Sequence, residues 1–299
     1  MNKKVLAIYY SQTGQLKDII DNFCLPLEEN GITIEKVNIE LKDDYPFPWT
    51  GKSFFSVMPD CVLGKAAALS PFVLKESSYD LVILGYQAWF LSPSIPFYSL
   101  MHHPLCRQVL NNTPVITITG ARNMWVNAYG GVKKLLDAAC ARHVGNIALV
   151  DRHLNLVSFV TIFHWMLHGK KDRYLRFFPK PGVSDTDIAN TRVFGRVALT
   201  FLQKDDWEGL QDELVENKAI ELKYHLMFIE SKAGGIFRIW AKFIVKRKNR
   251  TLWLSVFKYY LLFSLFILAP VVFVIDRVYF NPFLSKHIRA AKQSILKLN

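Results

Sequence analysis

The chain has 299 residues, 51% of them hydrophobic, which allows one large domain or two small ones and excludes disorder for the bulk of it. Its formal charge of +12 is confined to one end: residues 232–299 hold 13 Lys and Arg against Asp276 alone, while residues 1–231 hold 24 basic and 24 acidic side chains. That basic end is also rich in Leu, Phe, Val, Ile and Tyr, which points to an anionic membrane surface and away from nucleic acid.

In chain order, 5–10 (VLAIYY) is a short apolar run between lysines and a polar loop. It is too short for a secretory h-region and reads as a fully buried parallel strand, so the body is expected in the cytoplasm. Residues 15–30 read as a helix ending near Gly31, and 32–39 alternate as a strand. The Pro-, Phe- and Trp-rich stretch 41–78 (containing DDYPFPWTGKSFF) reads as a long insertion with one short helix. Then come a strand at 80–85 (DLVILG), an aromatic and polar loop at 86–96 and a helix at 96–111. A strand at 114–119 (PVITIT), a loop at 120–127 (GARNMWVN), a helix at 128–142 and a strand at 145–150 (GNIALV) complete the alternation. Strands alternating with helices predict an α/β fold, a doubly wound parallel five-stranded sheet with ligand loops at the carboxyl ends of its strands.

After Asp151 the pattern changes. Residues 154–168 are an apolar stretch, 170–182 are basic, and Ser184-Asp185-Thr186-Asp187 opens a helix running to about 203, with another near 207–217. Residues 259–275 (YYLLFSLFILAPVVFVI) hold 17 positions without a charge, interrupted by Pro270. Lys242, Lys246, Arg247, Lys248 and Arg250 precede them, and Arg277, Lys286, Arg289 and Lys292 follow, so charge sets no orientation. The chain therefore divides into 1–153, a helical extension 154–231 and a membrane-associating tail 232–299, expected on the cytoplasmic face of the inner membrane. A helix hairpin buried in a larger domain also fits the tail. Cys24, Cys61, Cys106 and Cys140 show no C-x-x-C spacing, so neither zinc nor a thioredoxin motif is predicted, and no metal site.

Three loops carry the candidate chemistry. Ser11, Gln12, Thr13, Gly14, Gln15 and Leu16 follow the first strand and open the first helix, where a phosphate would meet backbone N–H groups, hydroxyls and a helix N-terminus. Neither a Walker A nor a G-x-G-x-x-G pattern is present, and an ordinary polar turn also fits. The loop after the third strand carries Trp89 and Phe90, able to stack on a planar ring, or to pack beneath the insertion. The loop after the fourth strand has Gly120, which permits close approach, and Arg122, Asn123 and Trp125; Arg122 also fits a surface ion pair.

VLAIYYSQTGQL followed by YDLVILGYQAWFLSPSIP resembles the flavodoxin and flavin-reductase pattern over about half the chain. The resemblance implies a flavodoxin-like fold and FMN. Ser11, Gln12, Thr13, Gly14, Gln15 and Leu16 would hold its phosphate, and Gln87, Ala88, Trp89, Phe90, Gly120, Ala121, Arg122 and Asn123 would border its ring. Gln15-Leu16 depart from the pattern, where a further Thr or Ser is usual. Segments including YPFPWT, GARNMW, GNIALVDRH, FPKPGVSDTDIAN and FRIWAKFI are similar to a bacterial family of dialkylresorcinol and flexirubin-type pigment pathways. That similarity implies an aromatase, oxidising a long-chain dialkyl cyclohexane-1,3-dione made by a separate ketosynthase. A ketosynthase Cys-His-His layout is not evident in this chain.

For that reaction Arg122 would stabilise the dienolate and Tyr129 or His164 would handle the proton, although His164 in an apolar stretch also fits a core or interface histidine. Ketosynthase, acyl carrier protein and a second copy of the chain are the protein partners this reading admits. An NAD(P)H-dependent quinone or flavin reductase, and a flavin-free membrane scaffold for the ketosynthase, remain open alternatives.

Overall fold

Four of the apolar runs and the alternating stretch after the first helix form one parallel sheet in the computed structural model, which describes residues 3–268, 271 and 285–298. The strands are β1 (Lys4–Tyr9), β2 (Thr33–Asn38), β3 (Leu81–Tyr86), β6 (Pro114–Ala121) and β7 (Arg142–Val150); β4 (Ala88–Trp89) and β5 (Ser92–Pro93) form a separate small hairpin. β3 is buried along its whole length and β1 from its second residue on, as expected of parallel strands covered on both faces. The order β2-β1-β3-β6-β7 makes this a flavodoxin-like doubly wound sheet. Because β1 pairs with β2 on one side and β3 on the other, the winding reverses at β1 and opens a crevice beyond the carboxyl ends of β1 and β3.

On one face α1 (Gln15–Glu29) buries Leu16, Ile19, Ile20, Phe23, Cys24 and Leu27, a single helical stripe, against the sheet and α8 (Asp185–Lys204). Ser184 caps α8 as expected, its hydroxyl oxygen accepting the Asp187 N–H at 3.0 Å. The two helices approach closely at Gly195, where a Cβ would lie 2.1 Å from the carbonyl oxygen of Phe23. On the other face lie α4 (Ile95–His102), α5 (Pro104–Leu110) and α6 (Val126–Ala138). The helix expected over 96–111 is two helices, because Pro104 forces His103 into an extended conformation (φ −73°, ψ 131°). The stretch 41–78 holds two short helices rather than one: α2 (Gly51–Ser56), capped by Thr50 and Ser53 in a reciprocal box, and α3 (Met58–Val62).

The later helices are α7 (Asn155–His168), α9 (Leu210–Glu216), α10 (Tyr224–Val245), α11 (Arg250–Phe263) with a π-helical turn at Ser264–Leu268, and a last helix at Ser285–Leu296. The expected units 1–153 and 154–231 share one core: Val183, Ile188, Phe194 and Leu202 pack in the same cluster as β1, α1 and β6. α10 and α11 pack their inner faces on α2 and α3 through Phe237, Ile244 and Phe257, while their outer faces carry exposed apolar side chains. Pro270 and the rest of 259–275 beyond 268, Val271 apart, lie outside the described residues, as does Arg277.

Candidate functional site

The β1–α1 loop turns at Gly14 (φ +84°), which precedes the first residue of α1. The Ser11 hydroxyl oxygen accepts the Lys17 N–H at 3.1 Å, and the Ser11 N–H reaches Asn38 Oδ1 at 3.2 Å. Ser11 thus builds the loop and does not line the cavity described below; nor do Gly14 and Leu16, the latter a core residue. Gln12, Thr13 and Gln15 do line it. Gln12 Oε1 accepts the Trp49 indole N–H at 2.9 Å, and its buried Nε2 has no partner among the described residues. Gln15 Oε1 accepts the Val183 N–H at 2.9 Å and so ties α1 to the segment leading into α8. The extra length of this side chain, where the flavodoxin pattern has Thr or Ser, serves that tie.

The second loop is the β4–β5 hairpin, with Phe90 (φ 47°) and Leu91 (φ 60°) at its tip, both in the left-handed region. Bulky residues there cost roughly 1–2 kcal/mol each. The hairpin holds both side chains in the cavity wall, beside Gln87, Ala88 and Trp89. Trp89 lines the cavity and packs edge-on against Trp49 (5.7 Å) and Tyr45 (5.3 Å) of the insertion.

The third loop contributes Gly120, Ala121, Arg122 and Met124. Asn123 does not line the cavity, and its buried Oδ1 has no partner. Gly120 lies so near α1 that a Cβ would meet Ile19 Cδ1 at 2.7 Å. Arg122 is no surface ion pair. Its Nη1 donates to the carbonyl and side-chain oxygens of Asn155 at 3.1 and 2.7 Å, and its guanidinium stands 5.8 Å from the Phe159 ring centroid. Burial pushes its pKa down to about 10, opposed by Asp151 and Glu230, so it stays charged at neutral pH.

Sequence reasoning missed the opposite wall. Asp151, fully buried after β7, accepts from Ser158 Oγ at 2.8 Å, His153 Nδ1 at 2.6 Å and the Gly182 N–H at 3.3 Å, fixing α7 over the sheet edge. α7 then presents Asn155, Phe159, Ile162, Phe163 and Met166 to the same space. The cavity measures about 620 Å³. Gln12, Gln15, Gln87 and Arg122 give it polar groups from the sheet loops, and α10, α11 and the turn after it line it with Phe228, Ile236, Tyr260, Leu261 and Leu268 and with one cation, Lys232. Its volume and its few convergent polar groups suit a small-molecule site.

Two expected catalytic residues lie elsewhere. Tyr129 is buried on α6 between Trp125 and His143 (ring centroids 5.7 and 5.8 Å), and burial pushes its hydroxyl well above the usual range. It does not reach the cavity. His164 sits on the outer side of α7, with Nε2 3.5 Å from Asp172 Oδ1 and its ring near His168 and Tyr174. Among the described residues no Asp, Glu or His lines the cavity.

Glu230 of α10 was not anticipated. It is 1% exposed and accepts the Asn127 N–H at 2.8 Å, at the electropositive N-terminus of α6. Burial raises its pKa from 4.5 to about 7, against the lowering pull of the Asn127 and Val126 N–H groups and Arg122. A carboxyl raised on folding holds its proton longer in the folded chain, so its contribution to stability falls as pH rises from about 4.5 to about 7 and is level above that. His143, pushed down to about 4 by burial, acts in the opposite sense below pH 6.5 and masks part of this in the wild type. Glu230→Gln is therefore expected to gain about 2 to 3 kcal/mol relative to the wild type between pH 5 and pH 8 in chemical denaturation. An unchanged difference across that range would remove the buried carboxyl from the account.

No protein-family model matches the chain, and no curated protein matches it in sequence. Among solved structures, a flavoprotein in complex with FMN from Lactobacillus acidophilus NCFM is 15% identical, with a TM-score of 0.41, covering 49% of this chain and 93% of its own. An archaeal flavodoxin is 10% identical, with a TM-score of 0.36, covering 68% and 98%. A flavone reductase is 10% identical, with a TM-score of 0.38, covering 67% and 63%. These are distant, partial likenesses; the flavodoxin-like assignment of this chain rests on its own strand order and its crevice at β1 and β3.

Proposed function

We propose that this chain is an FMN-dependent oxidoreductase, and that the cavity at the β1/β3 crevice holds the flavin and the substrate. The carrying observation is the position of these polar groups, where loops from three successive crevice strands converge. The unpartnered Gln12 amide and the Thr13 hydroxyl offer donors for a phosphate beside the start of α1, and Gly120 and Ala121 line the cavity with small residues where a ring would lie. Trp89 and Phe90 supply aromatic faces on the side toward the insertion. FMN, when bound, would accept a hydride.

The residues around it do the remaining work. Arg122, held in direction by Asn155, places a fixed positive charge where an enolate oxygen would develop. With no carboxylate or imidazole among the described lining residues, the site suits a substrate whose own carbonyls acidify the C–H bond. A cyclohexane-1,3-dione meets that requirement: loss of one proton and one hydride, followed by enolisation, gives a resorcinol. The lining from α7, α10 and α11, apolar apart from Asn155, Lys232 and Ser264, suits alkyl substituents better than the polar dinucleotide an NAD(P)H-dependent reductase must admit.

The test is the visible spectrum of the full chain purified in mild detergent. A flavin band releasing FMN on denaturation, followed by conversion of a dialkyl cyclohexane-1,3-dione to the resorcinol, is the expected result. A chain that stays colourless after titration with FMN overturns the proposal, and rapid bleaching by NAD(P)H without dione turnover replaces it with a reductase.

A further inference from the structure

α11 has two apolar faces. Phe257 on the inner one is fully buried against Phe55 and Phe237 (ring centroids 6.4 and 5.4 Å). Leu252, Val256, Tyr259 and Phe263 form the outer one at spacings of four, three and four, continued by Phe266 and Ile267; Tyr259 is 65% exposed. The helical segment Arg250–Leu268 is long and apolar enough to cross a membrane, and only 6% of its most apolar window is buried in the protein. So large an uncovered apolar surface marks an interaction site. The helix before it and the connecting turn expose Arg238, Lys242, Lys246, Arg247 and Lys248, Arg250 opens α11 itself, and residues 231–268 contain no Asp or Glu.

We propose that α10, α11 and the following turn form a platform embedded in the interface of an anionic bilayer, and that the cavity opens through it. The charge decides the occupant. A second copy docking by the same face would bring like charges together, whereas anionic lipid complements them, at about 1 kcal/mol per Lys or Arg near the surface. The packed inner face holds α11 on the body, so this helix lies along the membrane with its outer stripe among the acyl chains. The opening follows from the same two helices. Tyr260, Leu261 and Leu265 face the cavity while their neighbours Tyr259, Phe263 and Phe266 face out. Ile236 and Leu268 line the cavity and are also 38% and 41% exposed, so the cavity reaches the surface on the platform itself. The substrate is then an amphiphile drawn from the bilayer, with its polar head toward Arg122 and its chain between α10 and α11. The docking is independent of what the cavity holds; only the chemistry at Arg122 rests on the flavin reading.

Two measurements on the full chain test this. In flotation, the wild type is expected to rise with vesicles of phosphatidylglycerol and phosphatidylcholine and far less with phosphatidylcholine alone. Neutralising Arg247 and Lys248 to Gln is expected to weaken partition roughly thirtyfold, and Tyr259→Asp with Phe263→Asp to weaken it further with the flavin band unchanged. In the second, 11-(dansylamino)undecanoic acid is expected to bind with a blue-shifted emission, and Ala233→Trp, a small lining position filled, to weaken that binding at least tenfold without altering flotation. Failure to float on anionic vesicles, or a discrete dimer without vesicle binding, overturns the docking. Undiminished dansyl binding by Ala233→Trp overturns the opening. A colourless chain that floats refutes the flavin and keeps the platform; a yellow chain that does not float does the reverse.

Discussion

An Arg122→Met chain is expected to keep its flavin band and lose about 10²- to 10³-fold in kcat on a dialkyl cyclohexane-1,3-dione, with a smaller change in KM. Methionine keeps much of the side-chain volume against Met124 and Phe159 while removing the charge. The guanidinium is worth so much because it is already desolvated and already aimed: the two bonds to Asn155 fix it before substrate arrives. Nothing need reorganise when negative charge develops on the substrate. Arg122→Lys should recover only part of the loss, since one ammonium cannot make both bonds to Asn155 and still meet the substrate in the same plane. An unchanged kcat in Arg122→Met would take the arginine out of the chemistry, and a lost flavin band would make it a cofactor ligand instead.

Gly195→Ala is expected to cost about 3 kcal/mol, seen as a lowered midpoint in chemical denaturation. The new methyl would lie 2.1 Å from the carbonyl oxygen of Phe23, an atom of backbone that cannot rotate away. Separating the helices would relieve the clash, but both pack on the same sheet, and Thr191 Oγ1 of α8 reaches the carbonyl of Ile19 at 3.3 Å. Gly130→Ala is the matched control. Gly130 is an exposed helical position with open space where a Cβ would go, so alanine there should stabilise by roughly 0.5–1 kcal/mol. Equal effects at the two positions would show that helix propensity, not the close approach, decides the outcome.

The sheet was legible because buried parallel strands are written as largely apolar runs, and VLAIYY, DLVILG, PVITIT and GNIALV are such runs, with Thr117, Thr119 and Asn146 as buried polar exceptions. Gln12, Thr13, Gln15, Trp89 and Arg122 were legible as cavity residues because a strand end fixes where its following loop must be. α7 was not. Its fully buried stripe is Ser158, Thr161 and Trp165, two of them polar because they serve Asp151 and the helix backbone, so hydrophobicity alone misjudges which side faces in. His164 falls on the side away from that stripe for the same reason. Tyr129 failed differently: it was close in sequence to the third loop, but helical rotation turns it under the sheet. The tip at Phe90-Leu91 carries no turn signal, since bulky residues rarely take positive φ. Lining contributed by α10 and α11 depends on contacts more than a hundred residues apart, which no local pattern records.

The pairing of α1 with α8 joins segments separated by roughly 170 residues. During synthesis the five strands of the sheet therefore emerge while the part of the α1 stripe that faces α8 is uncovered, and it stays so until residue 204 has left the ribosome. The nascent chain meanwhile carries an apolar surface that a chaperone must shield, since α10 and α11 are made only after α8. Cutting the gene at codon 153 would leave that condition permanent, so the N-terminal half expressed alone should aggregate even though it contains every strand of the sheet.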